Sequence, residues 1–592
     1  MATPRIDVTL KEGGPPVPPA DLTNIVHVIG PGYGATATVP QTITTEADLT
    51  GQHGPGPELA AAALNAGGQP VYYTPSVVAT PGSSGTVVKT PKSAATGVSI
   101  GTGNAGVTYT AKVQGVTVAH VNPGALTASE SVSVVGTAIS VTLRHDGTNP
   151  TSTAEQVRAA VAGSAAAMLL VSVANTGDGT GTAIAAGATA IPYGSTAKML
   201  VTTDVPVNRF DVVARCVRGG AVAGSPLPTM QFSLDAGDDQ KGGTWSPEKV
   251  IPSSGIVALN DNKITSGLSV TFTGTLEAGD IWRFTTTAPV SDATGITDAM
   301  QAALNDQTRL FGFFAIENPL DSALEISVDT VIQTADDAPM YKWLYALIRS
   351  RDQNSGESAT TWRDAINNDF NGVSPVTSAQ GRTWLLSGAY RRFSIYTRRY
   401  YRSSPVYAAT RRRVSRPVHE DLGRRKTGAL DDALSLYHDE TLNASFSNNR
   451  QITMYTGDGI FFTKTQTLAP ADSRYNRGPV VAVMMQSAKI CHTVGRTFIL
   501  DSNIADPITG AIADEDARSM ESQMEQPLRG FLFSQKKDGK ISASPPKDGQ
   551  KMVEVLQDYN YLDTNELRIE VAVIPVGYND AVKIGLTLQI PG

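Results

Sequence analysis

The sequence predicts a multidomain α+β chain: an α/β core, β-sandwich-like all-β modules inserted into it, and extended β-strand arms at the N- and C-terminal ends. Three observations carry this. Residues 80–290 are dominated by Gly, Ser, Thr, Val and Ala, in short alternating segments broken by turns such as HDGTNP (145–150) and NTGDGTG (175–181). On either side, helix-period stretches alternate with short apolar runs, the pattern of α/β structure. Each chain end carries one amphipathic strand: Ile6, Val8 and Leu10 alternate with polar residues near the start, and Val582, Ile584, Leu586, Leu588 and Ile590 do so near the end.

The chain has 592 residues, enough for about three to five domains at ~100–200 residues each. Charged residues are 17% of the chain, against a usual ~25%, while 55 Gly and 35 Pro make it rich in turns. This excludes a coiled coil and a globally disordered chain. The net charge of −7 argues against a general nucleic-acid or anionic-membrane binder. Cys216 and Cys491 are the two cysteines and no CxxC occurs, which excludes a zinc ribbon, a redox dithiol or a disulfide scaffold. Two separate thiols are expected. No apolar run reaches the ~18 residues of a membrane-spanning helix, and Met1 to Ala20 lacks the apolar core of a secretory signal.

Read in order, the first strand leads into GGPPVPPA (13–20), a stiff linker with few backbone donors. A strand over 24–29 runs into GPGYG, followed by a Thr-rich stretch (42–45) and a short helix over 46–49. Pro57 opens the Ala-rich helix ELAAAALNA, which Gly67 and Gly68 close before a strand over 70–74. Within the β region one helix is expected over 152–162, with Val157 and Val161 on one face, and a break near 192–194 divides two modules. Beyond 293 the reading is a helix over 298–305 and a buried strand over 310–316. A helix opened by Asp337-Ala-Pro follows, with Met340, Leu344, Leu347 and Ile348 inward. Val480–Met485 reads as a strand. Asp514 opens a helix with Ala517, Met520, Met524 and Leu528 inward, kinked or ended at Pro527, and strands follow over 551–557 and 566–574. The expected divisions are 1–22 (arm and linker), 23–78 and 293–490 (the two parts of the core), 80–195 and 196–290 (β modules), 491–575 (a C-terminal α+β domain) and 576–592 (arm).

The chemistry is mostly absence. HExxH, the phosphate-binding GxxxxGK[ST] loop, an EF-hand loop and the GxSxG elbow do not occur. No two of the seven histidines lie within five residues of each other. Cys491 beside His492 would sit on opposite faces of a strand, a poor geometry for a thiol–imidazole pair. GPGYG (30–34) lacks the spacing of a dinucleotide loop and reads as a turn. DAGDDQ (235–240) lacks the Glu and spacing of a calcium loop. No catalytic, cofactor-binding or metal residue is predicted.

The most unusual feature lies at 391–425. Arg391, Arg392, Arg398, Arg399, Arg402, Arg411, Arg412, Arg413, Arg416, Arg424 and Arg425 fall there, with Tyr390, Tyr396, Tyr400, Tyr401 and Tyr407 among them. Guanidinium forks hold carboxylates well, so a charged contact surface toward an acidic protein partner is favoured. Internal pairing and nucleic-acid binding, with Arg on phosphates and Tyr stacking, are the other readings. For the terminal strands, edge strands of the home domain and strand exchange between subunits both fit the pattern, since a lone strand is unstable in water.

Three stretches resemble the contractile (myovirus-type) phage tail sheath proteins. They are IVHVIGPGYG through QPVYYTPS (25–76), IADEDARSMESQMEQPLRGFL (512–532) and LDTNELRIEVAVIPVGYNDAVKIGLTLQIPG (562–592). They cover about a fifth of the chain, at its two ends. The Pro-Pro-Ser-Gly and Gly-Val-Trp segments of many sheath proteins are missing from 300–480. Residues 151–182 also resemble a repeat found in decorative modules of phage structural proteins. The resemblance implies a non-enzymatic, cofactor-free virion subunit, assembled in the host cytoplasm into stacked six-fold rings around a tail tube. Its partners would be other copies of itself, the tail tube protein, and baseplate and tail terminator proteins, with no nucleic acid and no membrane insertion. Ile6, Val8, Leu10, Val582, Ile584, Leu586 and Leu588 would be arm residues that add strands to neighbouring subunits. Arg398, Arg399, Arg402, Arg411, Arg412, Arg413 and Arg416 would face an adjacent subunit or the tube. The rival reading is a β-rich virion adhesin or receptor-binding protein, with 80–290 binding host glycans.

Overall fold

The computed structural model describes residues 22–90, 97–113, 115–191, 197–239, 243–260, 264–337, 340–354, 356–372, 381–499, 502–532 and 551–574. They fall into two compact units. One holds 22–80, 289–398 and 402–574; the other holds 81–288 with 399–401.

The first unit is built on a six-stranded sheet. Its elements are β1 (Val26–Pro31), β2 (Gln41–Ile43), α1 (Pro55–Asn65), β3 (Val71–Ser76), α2 (Ala293–Asn305), β4 (Phe313–Pro319), α3 (Ser322–Thr334), β5 (Ala346–Arg349), α4 (Ala359–Gly372) and β6 (Thr383–Leu386). The strand order is β2-β3-β1-β4-β5-β6, all parallel except β2, which runs antiparallel to β3. β1, β3 and β5 are buried at every residue, as parallel strands covered by helices on both faces must be. The two-residue period sorts their side chains. Val26, Val28, Phe313, Ala315 and Leu347 pack with α1, whereas Ile29, Phe314, Ile316, Ala346 and Ile348 pack with α2 and α3.

The chain leaves this unit after β3 and re-enters before α2, and the two crossings are pinned together. Thr80 and Val290 exchange backbone hydrogen bonds at 3.0 Å each way. The Ser76 and Ser291 hydroxyls lie 2.7 Å apart. The Asn318 side chain accepts from the Ser291 amide (2.8 Å) and donates to its carbonyl (3.0 Å). Later elements of the unit are β7 (Tyr390–Ser394), α5 (Pro405–Ser415), α6 (Gly478–Gly495), α7 (Asp514–Leu532) and the antiparallel pair β8 (Val553–Val555) and β9 (Ile569–Val571).

Three expectations are corrected. The apolar run after Asp337 is not a helix: Leu347 and Ile348 belong to β5, which pairs on both sides within the sheet. Val480–Met485 is not a strand but lies in the first turns of α6, a helix of 18 residues opened by Pro479 in its first turn. Pro527 does not end α7, which runs on to Leu532 with Met520, Met524 and Leu528 buried.

The second unit carries several small sheets. Val98–Ile100, Val107–Ala111 and Val171–Asn175 form one, and Ser131–Val135, Ala138–Thr142, Thr117–Val121 and Ala186–Ala190 another. The expected helix is Ala154–Gly163, with the Thr153 hydroxyl and Gln156 side chain capping each other's backbone and with Val157 and Val161 buried. A second helix, Ala165–Leu170, follows it. Thr117–Val121 and Ala138–Thr142 pair in parallel, so this part is α+β and not a plain antiparallel sandwich. Its run AAAMLL lacks the β-branched residues that favour strands. Further sheets are built around Leu268–Thr273 and around Asp211–Arg218 with Ile281–Thr285.

Candidate assembly surface

The arginine-rich segment spans β7 and α5, and most of its charge is spent within the chain. Arg392 is buried; its Nη2 donates to Glu58 Oε2 at 2.9 Å and its Nε to the Ser403 hydroxyl at 2.9 Å, while its guanidinium lies 4.1 Å over the Tyr407 ring. The Ser394 hydroxyl donates to the same Glu58 oxygen at 2.7 Å. Although burial lowers a guanidinium's pKa, the Glu58 carboxylate together with Tyr407, Tyr390 and Asp432 outweighs it and holds Arg392 more firmly protonated than usual. A second buried pair joins β4 and β5: Arg349 Nε reaches Glu317 Oε1 at 3.1 Å, and Ser404 donates to Glu317 Oε2 at 2.6 Å.

Arg412 and Arg413 are also buried. Arg412 donates to the carbonyls of Leu422 (2.5 Å) and Gly428. Arg413 donates to the carbonyls of Val418 (3.0 Å) and Arg416 (2.6 Å), satisfying acceptors just past the end of α5. Arg411 bridges Asp431 and Asp432. Arg424 pairs with Glu420, and Arg425 with Asp458 at 2.8 Å. Arg398 and Arg416 are exposed; Arg399 and Arg402 are half-buried, with Arg402 lying 4.8 Å over the Tyr437 ring. Tyr390, Tyr401 and Tyr407 are buried. The Tyr407 hydroxyl donates to Pro55 O at 3.0 Å and the Tyr396 hydroxyl to Leu49 O at 2.6 Å. These rings are core and joint residues, not a platform for stacking bases. A contact surface drawn from this cluster narrows to the arginines left outside. The sequence reading missed Glu58, Asp431 and Asp432, the acids that organise the segment. The available signals were a lone Glu among the alanines of α1 and the adjacent Asp431-Asp432 pair just past the arginines.

The arm residues Ile6, Val8, Leu10, Val582, Ile584, Leu586 and Leu588 lie outside the described residues.

The remaining motifs resolve into packing. The glycines of GPGYG serve close approach: a Cβ on Gly32 would fall 2.3 Å from the Tyr73 hydroxyl oxygen, and one on Gly56, at the start of α1, 2.7 Å from the Tyr73 ring. Asp238 pairs with Arg215 (3.1 Å) and Asp239 with Arg283 (2.7 Å), while Asp235 is buried and accepts from the Thr244 amide at 2.7 Å. Among the described residues no group of three or more metal-ligating side chains forms. Cys491 and His492 are consecutive on a helix, and the His492 ring stacks on Tyr341 at 4.5 Å. Burial pushes the Cys491 thiol up to about 11 and Cys216 up to about 12. No described helix is long and apolar enough to cross a membrane.

No family model matches the chain, and no curated protein matches it. Among solved structures it is similar to tail sheath proteins. The sheath tail protein of Listeria innocua aligns over 94% of this chain and 92% of its own, with 10% identity and a TM-score of 0.40. That of Desulfitobacterium hafniense aligns over 97% and 100%, with 11% identity and a TM-score of 0.38. The sheath of an extracellular contractile injection system, PVC, in its contracted state aligns over 53% and 77%, with 12% identity and a TM-score of 0.36.

Proposed function

We propose that the chain is the structural subunit of a contractile tail sheath. Copies polymerise as stacked six-fold rings around a tail tube, exchange β-strands through their arms, and contract to drive the tube through the host envelope. The observation that carries this reading is the pairing of β1. β1 is hydrogen-bonded on both sides, by β3 and β4 of the same chain. The centre of the core sheet is thus already filled, while the sequence places one further amphipathic strand at each end, the first on a Pro-rich tether. A lone strand is unstable in water and must pair with a sheet. Added to another copy's sheet it gains main-chain hydrogen bonds with little demand on sequence. Such a head-to-tail contact, repeated, builds an open helical assembly.

The three sheath-like stretches support the same reading. The subunit works without a cofactor, as a structural part and not an enzyme. Its partners are other copies, the tube, the baseplate and the terminator, in a virion tail assembled in the host cytoplasm. Negative-stain electron microscopy of the full chain and of a chain lacking 581–592, each with a co-expressed tail tube protein, tests it. Hollow striated tubes are expected from the full chain alone. Tubes from both would sink the arm mechanism, and monodisperse particles from the full chain would sink the sheath reading.

A further inference from the structure

We propose that Lys89 and Asp280 join through an amide bond between their side chains, an intramolecular isopeptide that closes the second unit on itself. The two lie on neighbouring strands of one sheet. Val88–Thr90 runs antiparallel to Ile281–Thr285, with Lys89 opposite Trp282. Side chains opposite each other share a face, and so does the residue two positions earlier, Asp280. A lysine is long enough to reach such a diagonal neighbour. Its Nζ stands 3.6 Å from Asp280 Oδ2, and the two side chains are 2% and 0% exposed.

The surroundings hold both groups in place and keep water away. Lys89 Nζ donates to Ala197 O at 3.0 Å and lies 5.6 Å from the centroid of the buried Trp282 ring, which meets Phe272 edge-on. Asp280 is fixed through its backbone: its amide donates to Glu277 O at 3.0 Å, and its carbonyl accepts from the Cys216 amide at 2.9 Å. The Glu277 amide donates to Asp280 Oδ2 at 3.1 Å, which draws electron density from the carboxyl carbon and stabilises charge that builds on that oxygen. Burial lowers the Lys89 pKa, outweighing the Asp280 and Glu277 carboxylates that raise it. The neutral amine is the nucleophile. The buried pairs Arg392–Glu58 and Arg349–Glu317 offer no such step, since a guanidinium stays protonated.

The step balances without an oxidant or a co-reactant. One Nζ proton passes to the Asp280 carboxylate, which turns the ion pair into an amine and a carboxylic acid, the forms a dry site favours. The Nζ lone pair then attacks Cγ. As the Nζ–Cγ bond forms, a second Nζ proton goes to the hydroxyl oxygen, the Cγ–O bond breaks and one water leaves. A separation near the ~3–3.5 Å of atoms poised to react supplies the effective concentration, and exclusion of bulk water disfavours hydrolysis of the product. The amide encloses residues 90–279 in a covalent loop. Tension along the backbone that enters the unit at 81 and leaves at 288 then crosses at the stitch and bypasses the modules between.

Mass spectrometry of the full-length protein, aged until its mass is constant and then denatured and digested, tests the bond. The intact mass is expected one water below that of the sequence, with Lys89 and Asp280 in one branched peptide. A succinimide at an Asp-Gly step would lose the same water, so the branched peptide decides. Lys89→Arg keeps the positive charge and removes the nucleophile; Asp280→Ala removes the acceptor. Both are expected to show the full mass, to lack the branched peptide and to melt about 10 °C lower, as loss of a long covalent loop predicts. The full sequence mass with no branched peptide in the unaltered chain overturns the proposal and leaves a plain buried ion pair. A branched peptide or a water loss that persists in Lys89→Arg overturns it as well. The unaltered chain decides by itself if either variant fails to fold, and none of these outcomes bears on the sheath reading.

Discussion

Glu58 on α1 and Arg392 on β7 stand 334 residues apart in sequence and meet at 2.9 Å, with side chains 2% and 3% exposed. The pair fastens a helix near the N-terminus to a strand well past the inserted unit. Removing one partner of a buried pair strands the other charge, which typically costs ~3–5 kcal/mol. Glu58→Gln and Arg392→Met are each expected to lower stability by about that amount. The double variant should lose clearly less than the sum, because the stranded charge is gone. Urea unfolding of the four proteins measures the coupling; strict additivity would show that the pair does not act as one.

Glu325 gives the first unit a pH dependence. It is fully buried on α3, its Oε1 accepts from the Thr383 hydroxyl at 2.5 Å, and burial pushes its pKa from 4.5 up to about 8. The folded state therefore holds this proton more tightly than the unfolded chain. The stability it contributes is full below pH 4.5 and drains away as pH rises toward 8. Its slope is at most about 1.4 kcal/mol per pH unit. Glu325→Gln should remove that slope and melt above the parent at pH 8. Melting curves from pH 5 to 9 that stay parallel for the two proteins would rule the account out.

Gly56 is fixed by space. A methyl group there would meet the Tyr73 ring at 2.7 Å and the Gly30 carbonyl oxygen at 2.8 Å. Backbone cannot step aside as a flexible side chain can, so Gly56→Ala should destabilise by ~1–3 kcal/mol as an overpacking change. Gly67→Ala provides a contrast. Its Cβ would meet nothing within 4 Å, but its φ of +97° strains any L side chain. Chemical denaturation of both variants separates crowding from backbone strain.

Both thiols should be slow. With Cys491 raised to about 11 by burial, only ~0.1% is thiolate at pH 8. Ellman's reagent is expected to react with both cysteines in denaturant but with neither on the minute scale in the native protein. Fast native labelling at Cys491 would show an environment that favours the thiolate.

What the sequence disclosed follows physical lines. Helices with one apolar stripe, such as α7 with Ala517, Met520 and Met524, were legible because spacing alone identifies them. Fully buried runs were not. Leu347–Ile348 and Val480–Met485 are both continuous apolar stretches, and periodicity does not separate a covered strand from a covered helix. Length does: β5 has 4 residues and α6 has 18. The arginine cluster was visible as charge but not as destination. Its partners are an acid 334 residues away and backbone carbonyls, which carry no signature in composition.

The pin at Thr80 and Val290 has a consequence for synthesis. β1 pairs with β4, which leaves the ribosome about 290 residues later, and at ~5–20 residues per second the wait is about 15–60 s. During that interval one edge of β1 is bare in the nascent chain. Completion of the core is therefore timed by translation of the insertion, and a ribosome pause inside 81–288 would prolong the exposure of that edge to chaperones and to neighbouring nascent chains.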